Sequence, residues 1–203
     1  MSQKHYFIPN PELAQRERSL PFTYAGQSFR FATAAGLFSC YEIDGASVFL
    51  LETLCKQVPP LQGKLLDLGC GYGLLGIVLA KIHTQDAQFT LADINPIACD
   101  FARKNAKTHQ VTATVIPSDG FENIPDTFDH IVLNPPIHAG KETTYRLYRE
   151  SAAHLNPNGS LYIVIHKKHG AESTLEYLNG IFTETETLNK RKGIFVFRGT
   201  LRK

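Results

Sequence analysis

Apolar positions change period along the chain, and the changes mark out its elements. Phe22, Tyr24, Phe29 and Phe31 alternate about Ala25-Gly26-Gln27-Ser28, the period-two signature of a β-hairpin. Val48, Leu51, Leu54, Cys55 and Val58 then fall at helical spacing over 46–58, and Pro59-Pro60 ends that run. From Lys64 onward, strand-like and helix-like stretches take turns. Short apolar runs predict strands over 64–69, 89–93, 113–117, 128–134 and 161–165. Amphipathic spacing predicts helices over 72–82, 96–109, 142–155 and 171–181. Pro96 suits a first helical turn, and Asn156-Pro157-Asn158-Gly159 is expected to stop the third of these helices. Two further strands, 183–188 and 194–200, are separated by the turn-like 189–193.

Strands that alternate with helices form a parallel sheet covered on both faces. The expected fold is therefore α/β: a Rossmann-like, doubly wound, mostly parallel sheet of seven strands. An antiparallel C-terminal hairpin finishes one edge, and a short N-terminal hairpin and helix precede the sheet. Residues 1–60 are expected to form an extension packed on a core domain of residues 61–203. Sheets of this kind bind ligands beyond the carboxyl ends of their strands, at the point where strand order reverses.

Composition narrows the classes without naming a function. The 203 residues are 43% apolar and 20% charged, which excludes a disordered tail, a collagen-like fibre and a coiled coil. The longest apolar stretch, Leu74 to Ala80, is far short of the roughly 18 residues of a membrane span. Residues 1–6 contain no apolar stretch of the signal-peptide kind, so a cytoplasmic protein is expected. Cys40, Cys55, Cys70 and Cys99 form no Cys-x-x-Cys pair, which favours reduced thiols over a disulfide framework or a zinc site. The eight histidines show no metal-ligand spacing, and no metal is expected. Residues 1–139 hold 10 Lys/Arg against 13 Asp/Glu, whereas residues 140–203 hold 11 against 6. The C-terminal third thus offers a weakly basic face suited to an anionic partner.

Candidate chemistry sits just after the strands. Asp67-Leu-Gly69-Cys70-Gly71-Tyr-Gly73 opens the first helix of the sheet, and its glycines let a ligand approach the backbone closely. Gly71-x-Gly73-x-x-Gly76 also satisfies the dinucleotide fingerprint, which keeps an NAD-dependent oxidoreductase open. Asp93 ends the second strand, where a carboxylate suits the two hydroxyls of a ribose, or caps the next helix. Ser118-Asp119-Gly120 follows the third strand and could meet an adenine edge. Asn134-Pro135-Pro136-Ile137 follows the fourth. Its two prolines fix the backbone and remove two N–H donors, leaving a rigid set of acceptors suited to a planar amino group.

Taken together, Asp67-Leu-Gly-Cys-Gly-Tyr-Gly73, Asp93 and Asn134-Pro-Pro136 resemble the class I S-adenosylmethionine-dependent methyltransferases, in the branch that methylates exocyclic amino nitrogens. The chain is most similar to the small-domain group that contains ribosomal RNA small subunit methyltransferase C. That similarity runs from about Phe22 to Thr200 and includes Gly36-Leu-Phe-Ser39, Asp44-Gly-Ala-Ser47 and Asn134-Pro-Pro-Ile-His-Ala-Gly-Lys141. Where this branch usually carries an aromatic after the prolines, the chain has Ile137.

The resemblance implies S-adenosyl-L-methionine as cofactor. Its ribose would lie on Asp93 beside Ile94, and its adenine near Asp119 and Gly120. Its methionine end would face Gly69, Cys70, Gly71 and Gly73, with Asp67 and Asp44 near the ammonium. Asn134, Pro135, Pro136 and Ile137 would form the catalytic loop, with Asn134 also touching the cofactor. Phe38, His138, Lys141 and Arg146 would contact the substrate, with guanine N2 of small-subunit ribosomal RNA as the expected acceptor. A base could stack on Phe38, Tyr145 or Phe22. Lys141, Arg146, Arg149, Lys167, Lys168 and Lys190-Arg191-Lys192 could hold RNA phosphates. Adenine N6, a protein glutamine and a catalytically silent RNA-binding module remain alternatives, and the oligomeric state is open.

Overall fold

The computed structural model describes residues 16–202. Residues 1–15, the start of the expected N-terminal extension, lie outside the described residues. A two-stranded antiparallel hairpin comes first, β1 (Glu17–Tyr24) and β2 (Gln27–Ala34), closed by Ala25 and Gly26, both at positive φ. Helix α1 (Gly45–Gln57) follows, and then the main sheet begins with β3 (Leu61–Leu68). Helix α2 (Leu74–Ile82), β4 (Thr84–Asp93), α3 (Pro96–Thr108) and β5 (Ala113–Pro117) build one half of it. The other half comprises β6 (Phe128–Leu133), α4 (Lys141–Ala153), β7 (Leu155–His166), α5 (Ala171–Asn179), β8 (Glu184–Arg191) and β9 (Ile194–Thr200).

The seven strands lie in the order β5-β4-β3-β6-β7-β9-β8. All neighbours up to β7 are parallel, and β9 runs antiparallel to both β7 and β8. The chain winds outward from β3 in one direction and from β6 in the other, so the order reverses between these two strands. Leu68 pairs with Leu133 there, which brings Gly69 and Asn134 out of the sheet side by side.

The central strands are apolar on both faces because both faces are covered. Leu65, Val132, Tyr162 and Val164 point into one cluster with Leu50 and Leu54 of α1, Ile77 of α2 and Ala102 of α3. Leu66, Ile131, Leu133 and Ile163 point into the other, with Leu147 and Tyr148 of α4 and Leu178 of α5. The hairpin contributes Leu20, Phe29 and Phe31 to the first cluster. Its link to the body is polar as well. Asn105, buried on α3, accepts from Ala32 N–H and donates to Ala32 C=O, each at 2.8 Å. The same amide donates to the Tyr72 carbonyl at 2.8 Å, so a single side chain joins the hairpin, α3 and the glycine loop.

Several boundaries depart from the sequence expectation. Helix α4 ends at Ala153, and Asn156–Gly159 lies within β7 instead of beyond the helix. Phe128 pairs with Leu155 and His130 with Ser160, so this segment bulges out of the ladder, with Asn158 at φ 65°. Strand β4 begins at Thr84, five residues early, because Thr84 pairs with Leu61 ahead of a bulge that includes Asp86 at φ 52°. Strand β8 runs on to Arg191, through Asn189 and Lys190, because these residues pair with Val196, Phe195 and Ile194. The turn shrinks to Lys192 and Gly193, both at positive φ. Among the described residues, no helix is long and apolar enough to cross a membrane. Cys40, Cys55, Cys70 and Cys99 are all free thiols.

Replacing Asn105 by Ala strands one buried N–H and two carbonyls. Asn105→Ala is expected to cost about 3 kcal/mol, a typical penalty for unsatisfied buried groups, read as a lower denaturation midpoint with an unchanged slope.

Candidate active site

The carboxyl edge at the β3–β6 junction carries the glycine loop on one side and the Asn-Pro-Pro loop on the other. Gly69, Gly71 and Gly73 adopt φ values of 70°, 56° and 92°, a region other residues enter only under strain. Gly73 caps α2 in that conformation, which explains why the helix starts at Leu74 and not at Tyr72. Gly76 is demanded by space: a Cβ there would stand 2.3 Å from Leu91 Cδ2.

Two carboxylates hold this loop from below. Asp93 Oδ2 accepts from Gly71 N–H at 2.9 Å, and its Oδ1 accepts from Asn95 N–H at 2.9 Å. The cap of α3 is Asn95, whose side chain accepts from Ile97 N–H at 3.0 Å. Asp93 is therefore the tie between the ends of β3 and β4, and the neighbouring Ile94 is exposed beside it. Asp67, only 1% exposed, accepts from Gly76 N–H at 2.8 Å and lies beneath the loop instead of on its surface. Burial pushes its carboxyl up to about 7; the Gly76 N–H opposes that shift and the Asp93 charge adds to it. A cation brought to this edge would favour the ionised acid. Cys70 is buried, and burial raises its thiol well above the ordinary range, followed by the Asp93 and Asp67 charges.

On the far side of β4, Ser118 is buried and ties its own turn, donating to Gly120 C=O at 2.9 Å and accepting from Asn123 N–H at 3.0 Å. Asp119 is paired with Arg146 of α4 at 2.5 Å, and Arg146 also reaches Glu150 at 3.2 Å. Arg146, expected on RNA phosphate, is thus engaged inside the protein, where two acids compete for it. Gly120 leaves room for this packing, since a Cβ there would stand 2.5 Å from Glu150 Oε2.

Asn134 is half-buried at the tip of β6. Its Nδ2 donates to Asp44 Oδ2 and to Ser47 Oγ, both at 2.9 Å. Both amide hydrogens are thereby used, and Oδ1 is the acceptor left for a ligand. Asp44 was expected near the cofactor ammonium; here it is the N-cap of α1 and holds Asn134. Ser47 went unrecognised as a site residue, although Asp44-x-x-Ser47 has the spacing of a capping pair. The Pro135 carbonyl accepts from Ile137 N–H at 2.8 Å and that of Pro136 from Ala139 N–H at 2.9 Å. These bonds curl the loop into a 3₁₀ turn over Ile137–Ala139 and occupy part of the acceptor set expected of Pro135.

Ile137 lines a cavity of about 220 Å³ with Lys141, Tyr145, His169, Ser173 and Thr174. The Tyr145 ring is stacked on Tyr177 at 4.0 Å, and Lys141 Nζ lies 4.9 Å from the ring centroid, so no face of that ring is open to a base. Phe22 is engaged in the hairpin with Tyr24 and Phe29. Phe38 remains exposed, as does Tyr41, an aromatic the sequence reading did not single out. Beyond the loop, His138, His166 and His169 approach one another, with ring centroids 6.3 and 5.9 Å apart. Burial, then Lys168 and the other two rings, lowers the His169 titration below the ordinary range. Lys167 N–H donates to Gly193 C=O at 2.7 Å, which sets Lys167 and Lys168 beside the β8–β9 turn with Lys192. Arg191, the last residue of β8, is paired with Glu52 at 2.8 Å, and Arg149 reaches the Tyr177 hydroxyl at 3.3 Å. Among the described residues, no group of three or more His, Cys, Asp or Glu is arranged to hold a metal ion.

Known proteins resemble this chain in sequence and fold. A Bacillus subtilis protein described as uncharacterized protein YbxB is 34% identical over 198 residues, covering 96% of this chain and 97% of its own. Ribosomal RNA small subunit methyltransferase C of Vibrio cholerae is 35% identical over 170 residues, 82% of this chain and 47% of that protein. A solved structure of the T. thermophilus 16S rRNA N2 G1207 methyltransferase, in complex with AdoMet and guanosine, superposes with a TM-score of 0.82 at 26% identity. It covers 96% of this chain and 52% of that one, so the chain spans about half the length of both named methyltransferases. Residues 28–198, from β2 to β9, match the model of the methyltransferase small domain, and the chain belongs to that family.

Proposed function

We propose that the protein is a cytoplasmic S-adenosyl-L-methionine-dependent methyltransferase that acts on guanine N2 of small-subunit ribosomal RNA. The observation that carries this reading is the pairing of β3 with β6. It sets a glycine cradle tied to Asp93 beside an asparagine whose remaining polar atom is an acceptor. Family membership supports the reaction class, and the named relatives support the acceptor. Residues 61–203 form the methyltransferase domain in this reading, and residues 1–60 an extension packed on it.

The residues fit the cofactor. A Cβ at Gly71 would meet nothing within 4 Å, so the loop leaves room for a ligand. Asp93 stands at the end of β4 for the ribose, with Asp119 and Gly120 on the adenine side. Asp67 supports the loop from beneath through Gly76 N–H, on the side where the methionine ammonium would lie above it. S-adenosylmethionine, when bound, supplies a methyl group already activated on a sulfonium. The protein has only to bind, align and stabilise. Asn134 Oδ1 accepts from the target amino group, favouring a pyramidal nitrogen with its lone pair turned toward the methyl. Pro135 and Pro136 hold that oxygen on a loop that cannot readily rearrange. Alignment of this kind is worth roughly 7–11 kcal/mol of a bimolecular barrier. Ile137 and the cavity beside it receive one edge of the base, with Phe38 as the stacking aromatic and His138 at the rim. Lys141, Lys167, Lys168 and Lys192 face RNA phosphates; Arg146 and Arg191 serve ion pairs instead.

The direct test is transfer of labelled methyl from S-adenosylmethionine to ribosomal RNA from a strain lacking the gene, followed by nucleoside analysis. N2-methylguanosine is the expected product. N6-methyladenosine, or label in protein, would replace the acceptor assigned here.

Asp93→Ala is expected to weaken cofactor binding by about 1.5–3 kcal/mol in calorimetry, with negligible NAD binding by the parent. An unchanged dissociation constant would leave Asp93 a loop tie only. Asn134→Ala should fold and bind cofactor normally while lowering single-turnover transfer by about 10²–10³, as losing one preorganised transition-state hydrogen bond does. Transfer at the parent rate would remove the amino-group chemistry from this loop. RNA affinity should fall steeply with salt, and replacing Lys141 and Lys168 by Ala should reduce the log–log slope by about 1.5. A slope unchanged by these substitutions would place the RNA elsewhere.

A further inference from the structure

The Asn134 carboxamide can be seated in two senses related by a half-turn, because its oxygen and nitrogen ends are nearly equal in size. Only one sense presents an acceptor to a target amino group. The Asn-Pro-Pro backbone does not decide between them: neither proline has an N–H, and the carbonyls of Pro135 and Pro136 already accept from Ile137 and Ala139. The decision comes from α1, about ninety residues upstream. Asp44 Oδ2 accepts from Asn134 Nδ2 at 2.9 Å, and Ser47 Oγ stands at the same distance. An ionised carboxylate can only accept. Turning the amide over would lose the Asp44 bond and press two oxygens together, whereas the Ser47 hydroxyl can donate as well as accept and so tolerates either sense. Asp44 cannot turn away either, because the same Oδ2 caps α1 by accepting from Ser47 N–H at 2.7 Å. The helix N-terminus further favours its charge.

We propose that Asp44 is a positioning residue that sets the sense of the Asn134 carboxamide, with Ser47 helping to seat it, and so restricts the acceptor to a group bearing N–H hydrogens. The proposal rests on the methyl-transfer reading above, but the clamp itself is testable without it. The most informative substitution is N134D, which keeps an acceptor oxygen. In this structure the new carboxylate would stand against Asp44. Two carboxylates in one site do not both ionise readily, so one of them retains a proton to higher pH. That shared proton rebuilds the clamp. The titratable group facing the pair is Tyr72 of the glycine loop, itself beside buried Cys40. Tyr72 is raised above its ordinary range by burial, then by the Asp44 and Cys40 charges, and stays neutral throughout the range used.

The experiment compares the parent, N134D and D44N/N134D. In the double variant the donor and the charge change places, and asparagine remains a good helix cap. Single-turnover transfer by N134D at about pH 8 is expected to be at least tenfold below the parent, rising relative to it as the pH falls to about 6. The double variant is expected to recover most of the loss at about pH 8, with cofactor affinity within about threefold of the parent in every case. The second readout is thermal stability. A carboxyl whose folded pKa is raised stabilises the fold at low pH and loses that contribution as pH rises, so the N134D deficit should widen from about pH 5 to about pH 8. The double variant should lack that widening. An N134D profile parallel to the parent in both rate and stability, or a double variant no better than N134D, overturns the clamp. If the parent methylates no nucleobase amino group, the functional reading fails, while the stability comparison still decides whether Asp44 governs the amide.

Discussion

Everything at this edge depends on the parallel pairing of β3 with β6. The paired residues are 65 positions apart in sequence, yet Leu65–Leu68 lie in register with His130–Leu133. Each strand feeds a loop at its carboxyl end, and the strand spacing places the two loops in contact range. Neither loop could do anything alone. The glycine turn offers a cradle with no reacting group, and the Asn-Pro-Pro tip offers an acceptor with nothing to react. The apolar side chains on both faces of these strands hold the register. A one-residue slip would exchange the two core clusters and turn every buried leucine to the wrong layer.

Most of the fold was legible because its signals are local. Apolar runs of strand length, helical spacing and proline or glycine stops repeat in the order strand, helix, strand, and the parallel sheet follows. The misplaced boundaries share one cause. Thr84 and Asn189–Arg191 are polar yet extended, because an adjacent strand supplies hydrogen bonds that residue type does not announce. The bulge at Asn156–Gly159 reads as a helix stop for the same reason: turn-forming residues mark a local break, whatever structure surrounds it.

The candidate site was legible in its members more than in their pairings. Gly69, Gly71, Gly73, Asp93 and Asn134 stand after strands, where the sheet delivers them together. What residue types alone could not show is which polar atoms are already in use. Arg146 and Arg191 look like phosphate contacts until Asp119, Glu150 and Glu52 are found beside them. Tyr145 looks like a stacking platform until Tyr177 covers it. Ser47 looks like ordinary helix, although it reaches Asn134. Partnership across 87 or 90 residues is a tertiary property, and it decides which member of a motif is structural and which is available.

The Asn105 amide has a consequence for motion. It holds both backbone groups of Ala32 in the hairpin and the carbonyl of Tyr72 in the glycine loop. Lifting the hairpin would leave the amide bonded only to the Tyr72 carbonyl, and loosening the loop would remove one of the three bonds that seat it. Two segments some forty residues apart in sequence are thus coupled through one side chain. A fluctuation of the glycine loop disturbs the seat of the hairpin, and the Phe31–Tyr72 ring contact at 5.9 Å links the same two segments. The cradle is thus stiffer than a glycine-rich turn would be by itself, and its stiffness is set by a layer that contributes no strand to the main sheet.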